Sequence, residues 1–514
     1  MTDAQAENLD SNSLGKSDAP NSEMVDSKSA WPAIAFVSVL IVAYGFEVFS
    51  FHPTVDEELF GENIRGVADW IAEGRWAMAI LFVLSPIVVT PVVTSALGIA
   101  MSGAGWWLLS RRVFSMTPWQ AAFIAALAGT IPVLAFTFSF STIAHGIGVG
   151  NLLLFVFARY VDSPSWRYRA LAVTAAAAAI GIYDPFAIAL AVLVVYRLII
   201  RPRLPNVVLS IGALFIAFVT SRLLGALAQY VSGVPQGEYV GQYIDIAGLF
   251  DNPIDRVSVA AVNVVKTLGL SAELFGAHSA WLLVTMTLLA GLALLGIWSL
   301  GGGSIERAVR YAAFAALLLV PVLAEAISPT PLKLRSMIYL PLLILCLGAF
   351  AVLATRRMRL DMRRASNGIV AAAIVLALLG SMSISNRLFG SSETAFALDQ
   401  NLAFQIGFEK DSLLPGENNT STAIVVSGKH SWPQSYIKVN RETLGASFFG
   451  WSGGTQRVAA FLSSQGVRTH KATWAQEQAA WPELDQMPAY PQPGWVQTFD
   501  GVLLVKFGER TADQ

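Results

Sequence analysis

Between Trp31 and Asn386 the chain is a succession of long apolar runs, most of them separated from the next by a short polar or basic turn. That alternation leaves few folds open. The hydrocarbon of a bilayer is about 30 Å thick and takes a helix of about 20 apolar residues, whereas a soluble core cannot use so much apolar chain. Composition agrees: 54% of the 514 residues are hydrophobic and 13% are charged, against about 25% charged in soluble domains. Mean hydropathy is +0.56. The pattern predicts a polytopic α-helical membrane protein of about eleven spans. They fall near residues 31–51, 87–110, 118–140, 142–158, 170–184, 186–200, 206–230, 279–299, 310–328, 336–355 and 368–386. The stretch 76–110 is too long for one upright helix, and Pro86 and Pro91 divide it into a shallow segment and a span. Asp184-Pro185 marks a turn between two short spans.

Orientation follows from the cations. Arg111-Arg112, then Arg159, Arg167 and Arg169, then Arg201 and Arg203, then Arg307 and Arg310, then Arg356 through Arg364 follow alternate spans. Cytoplasmic loops carry the excess of Lys and Arg. These five turns therefore belong on the cytoplasmic side of the inner membrane with the N-terminus, and an odd number of spans sends residues 387–514 to the other side. Residues 1–30 have the composition of a disordered cytoplasmic tail. No basic n-region precedes a cleavage site, so the run from Trp31 is an uncleaved first span. A net charge of −1 offers no bulk basic surface for nucleic acid. The single cysteine, Cys346, excludes an internal disulfide and a cysteine zinc site.

Three extracytoplasmic segments are large enough to hold a site. In the loop 52–75, Ile64, Val67, Ala68 and Ile71 share one helical face, which predicts a surface helix over 62–73. In the loop 231–278, Val257, Ala261, Val264, Val265 and Leu268 predict another amphipathic helix. Residues 387–514 read as an α/β domain. Ala423–Val426 is a strand candidate, Val458, Phe461 and Leu462 fit a helix stopped by Gly466, and Asp500-Gly501 is a type I′ hairpin signal. The part 31–386 is the transmembrane domain.

Two clusters carry chemistry. Asp56-Glu57-Glu58 lies just beyond the first span. Three neighbouring carboxylates repel one another unless a cation or a shared proton compensates. They can remove a proton from a hydroxyl, or Asp56 and Glu57 can hold a divalent cation such as Mg or Mn. Lys333 and Arg335 lie on the same face, against the positive-inside trend, and suit either an anionic lipid headgroup or a phosphate whose charge develops as it leaves. Arg75, after the surface helix, adds a third cation. Glu47, Arg222 and Glu325 are ionisable groups within or at the ends of spans, and His52 and His145 sit near outer turns.

Several motifs in order resemble one family: Tyr44-Gly-Phe-Glu-Val-Phe49, Val55-Asp-Glu-Glu58, Trp70-Ile-Ala-Glu-Gly-Arg-Trp76, Tyr183 at an outer turn, and Arg335-Ser336 before a proline-containing span. Gly445-Ala-Ser-Phe-Phe-Gly-Trp451, Met487-Pro-Ala-Tyr-Pro491 and Gly501-Val-Leu-Leu-Val-Lys506 follow. The chain resembles the serotype-converting, Gtr type II membrane glucosyltransferases of the GT-C superfamily. Asp184 departs from the pattern, where an amide is expected. The resemblance implies a GT-C-like fold and transfer of glucose from a polyprenyl-phosphate donor to a cell-surface or lipid-linked glycan, such as an O-antigen, on the outer face of the cytoplasmic membrane. It implies an essential acid in the first outside loop, Asp56 or Glu57. Glu58, Arg75, Tyr183, Lys333 and Arg335 are the expected substrate-binding residues, and the donor implies a synthase that makes it and a flippase that delivers it. Two rival readings are a transporter or flippase of a lipid-linked glycan, which should show internal symmetry, and a glycan polymerase, which would act on diphosphate-linked oligosaccharides.

Overall fold

A computed structural model describes residues 30–50, 52–55, 57, 59, 66–84, 91–202, 204–237, 245–416, 420–432, 442–450 and 454–510. The chain begins with α1 (Trp31–Phe49), the short α2 (Val67–Ala72) and α3 (Trp76–Leu84). Next come α4 (Pro91–Leu108), prolonged by a π turn (Leu109–Val113), α5 (Pro118–Gly129), α6 (Val133–Phe138), α7 (Ser141–Tyr160), α8 (Trp166–Ile182), α9 (Phe186–Ile200) and α10 (Leu204–Ser232). Then follow α11 (Ile246–Asp251), α12 (Pro253–Leu268), α13 (Ala272–Phe275), α14 (Trp281–Trp298), α15 (Ser304–Ile327), a 3-10 turn (Leu334–Ser336), α16 (Leu340–Arg357) and α17 (Leu360–Leu413). Among the described residues, eight helices (α1, α4, α7, α10 and α14 to α17) contain a stretch long and apolar enough to cross a membrane by length and composition. The chain is a multi-pass helical membrane protein.

Each apolar run of the sequence carries a helix, but among the described residues eight helices, against the expected eleven or so, are long and apolar enough to cross, and two elements differ in shape from expectation. The stretch 118–140 is not one rod: it breaks between α5 and α6 at Thr130-Ile131-Pro132. Pro132 has no N–H to give and its ring opposes the carbonyl one turn back. The carbonyl of Gly129, at the break, accepts from Tyr44 Oη of α1 at 2.7 Å. The second difference is α17. It continues through residue 387 to Leu413, 54 residues in all, because the segment holds no proline. At 1.5 Å per residue it is about 80 Å long, more than twice the hydrocarbon thickness, so its second half stands clear of a bilayer. Of the surface helix expected over 62–73, Val67–Ala72 is helical and residues 60–65 lie outside the described ones. The amphipathic helix of the second loop is α12, which buries Ala260, Val264 and Thr267.

The basic turns meet at one end of the bundle. Arg356 donates to the Ser115 carbonyl at 2.8 Å, Arg310 to Ile199 at 3.1 Å and to Gly301, Arg357 to Ser299, and Arg197 to Asp162. Beyond α17 the chain adds β1 (Thr422–Ser427), α18 (Gly454–Ser464), β2 (Thr469–Lys471), α19 (Trp474–Gln486), β3 (Val496–Phe499) and β4 (Val502–Lys506). The sheet order is β2-β1-β4-β3, with β1 parallel to β2 and β4, and β3 antiparallel to β4. β1 is buried along its whole length, as a strand covered on both faces must be. Ile424 and Val426 join Leu402, Ala403 and Ile406 of α17 and Val458 and Phe461 of α18 on one face. Ala423 and Val425 join Ala480, Trp481 and Leu484 of α19 on the other. The β3–β4 turn holds Asp500 at φ 53° and Gly501 at φ 75°, the backbone of a type I′ hairpin.

Candidate functional site

The first loop is pinned at the end of the bundle opposite the basic turns. Glu57 is 3% exposed. Its Oε2 accepts from the backbone N–H of Thr54 at 2.9 Å and from the Thr54 hydroxyl at 3.2 Å. Its Oε1 accepts from Ser141 Oγ at 2.6 Å and from the Thr142 N–H at 3.2 Å. Helix α7 begins at Ser141, and Phe140 before it has no side chain able to cap. Glu57 thus caps the start of α7 from outside the helix, supplied from 84 residues earlier, and its negative charge meets the positive end of the helix. Burial pushes its carboxyl above the ordinary range, while the four hydrogen bonds pull it back. His52 is buried in the same loop with Nδ1 3.2 Å from the Ser50 carbonyl, and burial pushes its imidazole down.

A second line of contacts reaches the same place. The Arg335 guanidinium lies 4.5 Å from the Phe140 ring centroid, and Phe140 is the residue before the Glu57-capped turn. The Arg335 carbonyl accepts from Thr137 Oγ1 at 3.2 Å. Ser336 Oγ is 3.0 Å from Tyr183 Oη, and Arg75 lies 5.0 Å from the Tyr183 ring while pairing with Glu73 at 2.9 Å. Glu57, Tyr183, Arg75 and Arg335, far apart in sequence, therefore form one contiguous patch. Lys333 precedes the 3-10 turn, its carbonyl accepting from Ser336 N–H at 2.9 Å. Asp56 and Glu58 lie outside the described residues.

Sequence reasoning missed what closes the patch from the C-terminal side. Glu442, 1% exposed, accepts the Arg335 N–H at 2.8 Å and has its other oxygen 3.7 Å from the Arg335 guanidinium. No local pattern around Glu442 signals this, because its partner is 107 residues away. Two residues on, Leu444 joins the core of the helical bundle, and Val55 of the first loop joins the core of the sheet domain. The bundle and the sheet domain are thus interlocked around the patch.

Other singled-out residues have structural work. Glu325 accepts from Asn263 Nδ2 at 3.0 Å and from the Leu332 N–H at 3.3 Å, fastening α12 and the irregular run before Lys333 to the end of α15. Arg222 pairs with Asp184 at 2.8 Å, so the acid that departs from the family pattern has a cation of its own. Glu47 is buried on α1 within electrostatic reach of Glu57. His145, one turn into α7, meets no hydrogen-bonding side chain among the described residues. As for a metal, no three His, Cys, Asp or Glu side chains among the described residues group to hold one, and Glu57 already spends its oxygens on four donors.

Residues 45–351, more than half of the chain, match the family described as Glucosyl transferase GtrII. No curated protein matches the chain.

Proposed function

The chain belongs to the GtrII glucosyl transferase family, and from that premise we propose that it moves glucose from a polyprenyl-phosphate donor to a cell-surface or lipid-linked glycan at the outer face of the cytoplasmic membrane, as a GT-C type enzyme. The observation that carries this reading is the meeting of Glu57, Arg75, Tyr183 and Arg335 at the end of the bundle opposite the arginine turns. Positive-inside bias makes the arginine end cytoplasmic and leaves the patch, with the sheet domain over it, on the outer side.

The reaction needs three tasks done. The acceptor hydroxyl attacks the anomeric carbon, the bond from that carbon to the phosphate oxygen breaks with its electron pair going to the phosphate, and a base takes the hydroxyl proton. Glu57 is committed to holding the loop, so Asp56 beside it is the proposed base. Arg335, stacked on Phe140 and steadied by Glu442, and Lys333 beside it offset the charge that grows on the phosphate. Arg75 and Tyr183 line the sugar's approach, Glu58 is the further proposed substrate-binding acid, and the sheet domain orients the glycan.

Transfer of labelled glucose from polyprenyl-phosphate-glucose to glycan in proteoliposomes tests the proposal. Asp56→Ala and Arg335→Ala each lower the rate about 100-fold or more. Full activity in Asp56→Ala overturns the catalytic assignment, and transfer from a nucleotide sugar alone overturns the donor. A chelator separates the two roles of the acids: loss of transfer restored by Mg or Mn assigns them to an ion, and unchanged transfer assigns them to the proton.

A further inference from the structure

A cavity of about 500 Å3 opens at the arginine-rich end of the bundle, where the π turn after α4, the last turns of α7 and α9, and the first turn of α8 meet. Arg112, Arg159, Arg197 and Arg201 line it against a single acid, Asp162, leaving three positive charges in excess. Pairing among them is uneven. Arg197 is taken up by the Asp162 carboxylate and the Ala158 carbonyl, and Arg201 shares the same carboxylate at 3.3 Å. Arg112 and Arg159 are exposed at the rim. The Arg159 guanidinium lies 6.0 Å from the neighbouring Tyr160 ring, and neither arginine forms an ion pair among the described residues. Tyr160 stacks on Tyr168 at 5.1 Å and gives the cavity a rigid wall.

Gathered cations repel one another until an anion joins them, and guanidinium groups match phosphate oxygens in both geometry and charge. The lining residues sit at the ends of apolar helices, and basic clusters next to membrane spans attract anionic lipid headgroups. This end lies a full helix length from Glu57 and Arg335, about 28 Å along the 19 residues of α1. We propose that the cavity binds a phosphate group, separately from the glucose-transfer site. Arg112 and Arg159 grip the phosphate, Arg201 adds charge from the side, and the Arg197–Asp162 pair keeps α7 and α9 together as the floor. The phosphate comes from the headgroup of an anionic phospholipid or from solution, and the experiment has an arm for each.

The full-length chain is purified into micelles containing phosphatidylglycerol and phosphatidylcholine, and retained lipid is read by native mass spectrometry. The chain retains phosphatidylglycerol preferentially, and the double variant R112Q/R159Q lowers that preference about 30-fold, a factor of about five for each cation removed. In the second arm, inorganic phosphate is titrated into the protein in phosphatidylcholine alone; heat of binding that the same variant abolishes assigns the site to soluble phosphate. R112K/R159K keeps most of the binding, which tells loss of charge from loss of fold. R363Q/R364Q, elsewhere at the same end, leaves it unchanged. Binding in neither arm, or a preference that R112Q/R159Q keeps or that R363Q/R364Q removes equally, overturns the proposal.

Discussion

Glu57 accepts two backbone N–H groups and two hydroxyls, from Thr54, Ser141 and Thr142. A carboxylate so engaged would have to abandon the start of α7 to take a proton from an acceptor. Glutamine at this position keeps the size but presents N–H where an acceptor is needed. The hydroxyls can rotate to adapt and the backbone N–H groups cannot, so one of them loses its partner. Glu57→Gln is expected to cost about 1–3 kcal/mol, seen as a lower thermal unfolding midpoint of the full chain. Transfer per folded molecule stays within about tenfold, whereas Asp56→Ala loses about 100-fold or more; equal losses in folded Glu57→Gln and Asp56→Ala would make Glu57 the base. At this scale the sequence was readable in kind and not in partner. Asp56-Glu57-Glu58 and Lys333/Arg335 stand out by charge at a span end. That Glu57 caps a helix, and that Arg335 answers to Glu442, depends on contacts spanning 84 and 107 residues, which no local pattern encodes.

Helices α4 and α7 approach closely enough that glycine is required between them. A Cβ on Gly98 would lie 2.3 Å from the Ala144 carbonyl oxygen, and one on Gly148 would lie 2.8 Å from the Gly98 carbonyl oxygen. Apolar side chains gain little by leaving lipid for protein, so helices in a bilayer associate through close backbone packing of small residues. This contact sets the height of the α7 N-terminus, and with it Glu57 and the first loop. Gly98→Ala forces the helices apart and is expected to cost about 1–3 kcal/mol, measured as a lower unfolding midpoint in detergent. Gly212→Ala on α10, where nothing lies within 4 Å, leaves the midpoint unchanged or slightly higher, because alanine is the better helix former. Elements were the most legible level. Apolar runs became helices, and Asp500-Gly501 became the hairpin turn, because spans and tight turns depend on a few neighbouring residues. The break at Pro132 had its signal in the proline itself. Strand β2 is three residues long and exists only by pairing with β1, so periodicity could not reveal it. Helix α19, by contrast, carries a Thr473-x-x-Gln476 capping box that marks its start.

Across the whole molecule, the sheet domain is not a separate body hung on a linker. Helix α17 runs from the bundle into the domain core, Val55 enters that core from the first loop, and Leu444 returns to the bundle. Asp399 ties these together on the part of α17 beyond the bilayer: it accepts from Trp432 Nε1 at 2.8 Å, Ser447 Oγ at 2.7 Å and the Phe448 N–H at 2.7 Å. Ser447 and Phe448 lie five and six residues past Glu442, so the strut that holds the domain to α17 also holds Glu442 against Arg335. Burial pushes the Asp399 carboxyl from 3.8 up to about 7, against the pull of those three donors. The folded chain therefore binds its proton more tightly than the unfolded chain does. Between about pH 4 and 7 the folded state carries more protons, and stability falls as pH rises through that window and levels off above it. The expected outcome is an unfolding midpoint, followed by the fluorescence of tryptophans including Trp432, that declines from pH 4 to 7. Asp399→Asn flattens that decline, because the group that titrates is gone. It also lowers the midpoint throughout, because an amide N–H then faces the Phe448 N–H; a profile that keeps its slope in Asp399→Asn would assign the pH dependence to another group.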